Sequence, residues 1–185
     1  MRTIFTLLLL SLFSLKLLAH PHVFVDTSFN IVLSDDASPV VEVTWKLDDM
    51  ASMTMMMDYD LNGDGSFDAG EAAFFKKEEF DSLADRSYFT YLHADGKAVP
   101  VAAPTDFHVS IEANAIVYRF TVRPLSKPDD FSELKVACYD PENYMAMFIS
   151  EGDSTVDTSM KLSQQIVMEE MDNFVADILL LKVDS

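Results

Sequence analysis

The chain has 185 residues, 31 of them acidic and 13 basic, giving a net charge of −18 with a hydrophobic fraction of 49%. That length suits one packed domain, and so large an acidic excess argues against a nucleic-acid partner. Cys138 is the one cysteine, which excludes an internal disulfide; it lies in the apolar run Leu134–Tyr139 and reads as a core residue.

Residues 1–19 read as a cleavable secretory signal peptide. Met1–Arg2 is a short positive start, residues 4–18 are rich in Leu and Phe, and Ala19 is a small residue at the cut. The segment is too short and wrongly flanked for a lasting span, so a periplasmic location without a stable membrane span is expected. Cleavage would make His20 the terminal residue of His20–Pro21–His22. Its amine and imidazole together would chelate a metal, and in an extended segment His22 points to the same side. Such a nitrogen-rich set suits Zn, Ni, Co or Cu, with His93 and His108 as candidates to complete it. The plainer alternative is a solvated terminus carrying two histidines.

Residues 20–185 read as a single β-rich domain. Residues 22–33 form a first strand, and Ser34–Pro39 a turn. Val41, Val43, Trp45 and Leu47 then share one face of a second strand against Glu42, Thr44 and Lys46. Between Asp48 and Arg86 the strand signal vanishes, and residues 48–86 read as a helical insertion built like an EF-hand. The run Met50, Met53, Met55, Met56 and Met57 is read as core packing rather than a copper(I) site.

Within this insertion, Asp60–Glu71 places oxygen ligands at the spacing of a twelve-residue calcium loop. Asp60, Asn62 and Asp64 fall at positions one, three and five, and Gly65 at the sharp turn at six. The Ser66 carbonyl takes position seven, Asp68 position nine, and Glu71 closes at twelve. A register starting at Asp58 would end on Ala69, which has no carboxylate. With no second loop of this kind, the expected role is a structural Ca2+ clamp rather than a cooperative sensor. The alternative is a solvated acidic turn between two helices.

Strands resume at Tyr88–His93, with Ala94–Lys97 as a hairpin turn. Further β-rich runs cover 98–103, 106–112, 115–123, 133–139 and 143–149, while 150–158 reads as a surface loop. Leu162, Ile166, Val167, Met171, Phe174, Val175, Ile178 and Leu179 recur at helical spacing, although Ile178–Val183 alone also fits a strand. A C-terminal helix is predicted. The expected class is therefore α+β: a mostly antiparallel β domain with a helix–calcium loop–helix insertion and a C-terminal helix.

His20–Pro–His–Val–Phe–Val–Asp26, the single acidic loop ending at Glu71, Tyr88–Phe–Thr–Tyr91 with Asp95–Gly96–Lys97, and Tyr139–Asp–Pro–Glu–Asn–Tyr144 occur in that order. Together, over residues 20–150, they resemble the bacterial periplasmic family known as domain of unknown function 1007 (DUF1007). The resemblance implies a periplasmic component of a transport system, working beside an inner-membrane permease for nickel or cobalt. Phe24, where the family often has Trp, and the tail after residue 150 depart from that pattern. Nothing in the chain has the flanks of a nucleophile triad, a phosphate loop or an HExxH helix, so a non-enzymatic protein is expected. Asp140 is read as shaping its turn. The enzymatic rival is a copper oxidase built on an N-terminal histidine. The leading expectation is a periplasmic metal-binding accessory protein, with Ca2+ in the loop and a transition metal on the histidines. Its rival is a calcium-stabilised secreted interaction module with no transition-metal role.

Overall fold

The computed structural model describes residues 21–34, 37–128 and 130–184. The predicted signal peptide and His20 lie outside them. Two sheets carry the fold. The first has the order β5-β6-β2-β1-β8, with β9 continuing along the same edge of β1 as β8; the second runs β10-β11-β7-β3-β4. The strands are β1 (Val23–Leu33), β2 (Val40–Leu47), β3 (Thr90–Ala94), β4 (Lys97–Val99), β5 (Thr105–Glu112) and β6 (Ala115–Val122). They continue with β7 (Glu133–Cys138), β8 (Met145–Ile149), β9 (Thr155–Thr158), β10 (Leu162–Glu170) and β11 (Val175–Val183).

The period-two pattern of the first two strands sets their register. Thr27 faces Trp45, Phe29 faces Val43 and Ile31 faces Val41 in an antiparallel pair. Every one of these side chains is buried, as alternation requires. Only β8 and β9 run parallel to β1. The inner faces of both sheets contribute to one core, in which Trp45, Phe29 and Phe120 meet Leu92, Val136 and Leu179.

Trp45 joins the sheets directly. Its ring lies 5.1 Å from Phe120, edge to face, and its indole N–H donates to the Cys138 sulfur at 3.4 Å. Burial pushes the Cys138 thiol up to about 11, against the smaller opposing effect of its hydrogen bonds with Trp45 and Thr90. The native protein is therefore expected to resist iodoacetamide at about pH 8 and to react fully once unfolded in guanidinium. Labelling at the same rate in both states would show that the two sheets part readily.

Among the described residues the helical ones amount to two short helices, α1 (Asp49–Tyr59) and α2 (Ala69–Phe75), followed by a π turn at Lys76–Phe80 and tight turns through Asp81–Phe89. They do not form a separate lobe. Ser52 is buried, donating to the Leu47 carbonyl at 3.2 Å and accepting from the Ile116 amide at 2.9 Å. Phe75 and Phe80 pack edge-on against Tyr118, at 5.3 and 6.4 Å, inside the sheet core. The expected α+β class with a helix–calcium loop–helix insertion is thus corrected: the protein is a mostly β, two-sheet fold whose short helices cap the core.

The predicted C-terminal helix is corrected as well. Residues 162–183 form the antiparallel pair β10–β11, with Leu162 opposite Val183 and Ile166 opposite Leu179. The Met171 amide donates to the Phe174 carbonyl at 2.8 Å to close the turn. β11 is held on its other side by β7, so Ile178–Leu181 is buried on both faces. The expected loop 150–158 contains the short strand β9. No helix among the described residues is long and apolar enough to cross a membrane.

Candidate functional site

The site begins where β2 hands over to α1. Asp48 caps the helix, accepting from the amides of Met50 at 2.8 Å and Ala51 at 2.9 Å, while its other oxygen accepts from Phe24 at 2.7 Å. Burial pushes this carboxyl up, but amides from Phe24, Ala51 and Met50 outweigh it and hold it below the usual range. The start of α1 is thereby pinned to β1.

At the other end of α1 the acidic loop wraps around its own carboxylates. One oxygen of Asp60 accepts from the amides of Gly63 at 2.9 Å and Asp64 at 3.2 Å, and the other from Gly65 at 2.9 Å. Asn62 accepts from the Asp64 amide at 2.8 Å. Asp64 accepts from the Ser66 hydroxyl at 2.7 Å and amide at 2.9 Å, and these hold its carboxyl below the usual range. Gly65 has φ +81°, a left-handed conformation that makes a side chain there costly.

Asp68 and Glu71 form a reciprocal cap on α2. Asp68 accepts from the Gly70 and Glu71 amides, at 2.7 and 2.9 Å, and Glu71 accepts from the Asp68 amide at 3.0 Å. The second Glu71 oxygen reaches back to the amides of Leu61 at 2.8 Å and Asn62 at 3.2 Å. Glu71 is buried although Ala69 and Gly70 just before it are exposed. The donors that Asp60, Asn62, Asp64, Ser66, Asp68 and Glu71 offer are all oxygens, a set that fits a hard cation such as Ca2+. The carboxylates are nonetheless turned to backbone amides, and among the described residues no three His, Cys, Asp or Glu side chains converge on a metal position.

The histidines stand apart. His22 is exposed just before β1, its ring 5.1 Å from that of Tyr144. His93 lies on β3 in the second sheet, opposite Lys135, and His108 on the edge strand β5, opposite Arg119. His93 is thus not brought together with His108, which sits on the other sheet, and His20 lies outside the described residues.

Sequence reasoning missed a division in the methionine run. Met55 and Met56 pack against the core as expected. Met50, Met53 and Met57, in contrast, are 69, 58 and 78% exposed. Their spacing of three and four residues was the available signal, since it sets them on a different face of α1 from buried Ser52 and Tyr59.

Comparison with known proteins places the chain among relatives without described functions. An uncharacterized 15.5 kDa protein of Spirochaeta aurantia is 37% identical over 97 residues, covering 52% of this chain and 69% of that protein. An uncharacterized protein of Haemophilus influenzae is 27% identical over 145 residues, covering 76% of this chain and 68% of its own length. The sequence profile of the family described as protein of unknown function (DUF1007) matches residues 5–170, and the chain belongs to that family.

Proposed function

We propose that this protein is an extracytoplasmic, non-enzymatic binding module whose Asp60–Glu71 loop takes Ca2+ and thereby fixes the junction between α1 and α2. The observation that carries the reading is the wrapping of successive amides from Gly63, Asp64 and Gly65 around Asp60, with buried Glu71 closing the far end on Leu61 and Asn62. A bound cation would supply charge compensation for four carboxylates crowded into one short loop; the chain's own part is to hold these oxygens on a backbone that is already turned. The leader at residues 1–19 accounts for an extracytoplasmic setting.

The test is thermal unfolding with chelator, with CaCl2 and with MgCl2 at matched ionic strength. Calcium at about 100 times its Kd is expected to add about 2.7 kcal/mol, or roughly 5–10 °C in a domain of this size. Asp60→Asn and Asp64→Asn are expected to remove the calcium-specific part. An equal shift with magnesium, or one that survives Asp60→Asn, would reduce the effect to screening of an acidic surface.

A second reading rests on the accessible His22 directly after His20–Pro21. It assigns capture of a divalent transition metal to the mature terminus, for delivery to an inner-membrane permease. Titration with Zn, Ni, Co and Cu, with and without His20→Ala, separates it from the first. Uptake that His20→Ala leaves unchanged would sink it.

A further inference from the structure

α1 is apolar on both sides, yet the described residues cover only one. Ser52 and Tyr59 are buried and Ala51, Met55 and Met56 pack against the core. At about 100° per residue, Met50, Met53 and Met57 fall within an arc of about 60° on another side. All three are more than half exposed, and Leu61, just beyond the helix end, is 72% exposed. The spacing of i, i+3 and i+7 is that of anchors in helix-mediated recognition. Methionine suits such a surface because its unbranched, polarizable side chain adapts to different partners.

Charge selects the occupant. On the same helical projection Asp49 borders the methionine arc on one side, and on the other Thr54 stands between the arc and Asp58; all three are exposed. Seven acidic residues and no basic one lie between Asp48 and Glu71. Anionic lipid would be repelled by this rim, and two copies meeting face to face would oppose like charges. We infer that the Met50–Met53–Met57 face of α1 docks a cationic amphipathic helix of a protein partner, its apolar side on the methionines and its basic residues on Asp49 and Asp58. This inference rests on the binding-module reading, and not on occupancy of the loop by calcium.

The experiment measures binding of a fluorescent synthetic amphipathic helix of leucine and lysine, against a scrambled peptide of identical composition, to the intact protein. Met50→Gln/Met53→Gln/Met57→Gln is expected to weaken binding at least about tenfold. Its thermal midpoint should stay unchanged, because all three side chains are exposed. Asp49→Asn/Asp58→Asn is expected to weaken binding less and to flatten its salt dependence. Equal binding of the scrambled peptide, or full affinity in the triple variant, would overturn the proposal in favour of general attraction to an acidic chain. A concentration-dependent dimer abolished by the triple variant would overturn it in favour of a second copy. Tighter peptide binding after removal of residues 1–20 would overturn it in favour of this segment of the chain as the occupant of the face. Calcium titration of the parent protein keeps the two readings apart: no calcium binding with peptide binding intact sinks the loop assignment alone, and calcium binding without peptide binding sinks the docking face alone.

Discussion

An Asp140→Ala variant is expected to lose about 3 kcal/mol of stability and to loosen the β8 edge of the first sheet. Asp140 is buried in the connection that carries the chain from β7 in one sheet to β8 in the other. One oxygen accepts from the Glu142 amide at 2.9 Å, and the other from Tyr144 at 3.0 Å and Met145 at 3.2 Å. The Asp140 carbonyl accepts from Asn143, which has φ +55°. That corner in turn presents the Tyr144 carbonyl to the His22 amide at 2.8 Å, just where β8 starts to run parallel to β1. Alanine would leave three amides without their acceptor at a corner the chain must turn tightly. Asparagine keeps one acceptor oxygen and is expected to cost less than half as much. Denaturant unfolding gives the loss, and amide exchange in Met145–Ile149 locates it. Unchanged exchange there, with stability within about 0.5 kcal/mol of the parent, would show that the corner holds without its carboxylate.

Local chemistry was legible in the sequence and long-range chemistry was not. The alternation of Val41, Val43, Trp45 and Leu47 has one geometric solution, and β2 occupies Val40–Leu47. The acidic loop was legible as a turn because its capping partners lie within a few residues: Asp60 holds Gly63 to Gly65, and Asp68 holds Glu71. The C-terminal error has a physical origin. β10 is an edge strand with exposed Ile166 and Met168, while β11 is a central strand apolar on both faces. Joined through the turn at 171–174, their apolar residues fall by accident at helical spacing. The identity of the covering strand, β7, decides between helix and strand, and it lies some forty residues earlier in the chain, far beyond the reach of any local pattern. For the same reason spacing could not tell that His93 and His108 stand on different sheets.

With calcium removed by chelator, Glu71→Ala is expected to cost about 2 kcal/mol, and to leave nothing for calcium to restore. A buried carboxylate is unfavourable by itself; here three amides offset its desolvation, two from Leu61 and Asn62 and one from Asp68. The side chain therefore joins the two ends of the loop whether or not a cation is present. Asp68→Ala removes the reciprocal half of the same cap and is expected to cost about 1 kcal/mol. Because each residue's hydrogen bond supports the other's geometry, the double variant should lose less than the sum of the two. Glu71→Gln separates joining from ligation. It keeps an acceptor and should unfold within about 1 kcal/mol of the parent under chelator, yet it lacks the second anionic oxygen that a closing calcium ligand supplies. Calcium stabilisation that survives in Glu71→Gln would remove Glu71 from the cation site and leave it a purely structural clasp. Loss of that stabilisation while the chelated protein stays stable would assign the one buried carboxylate of the loop both tasks: holding the turn, and closing it on the ion.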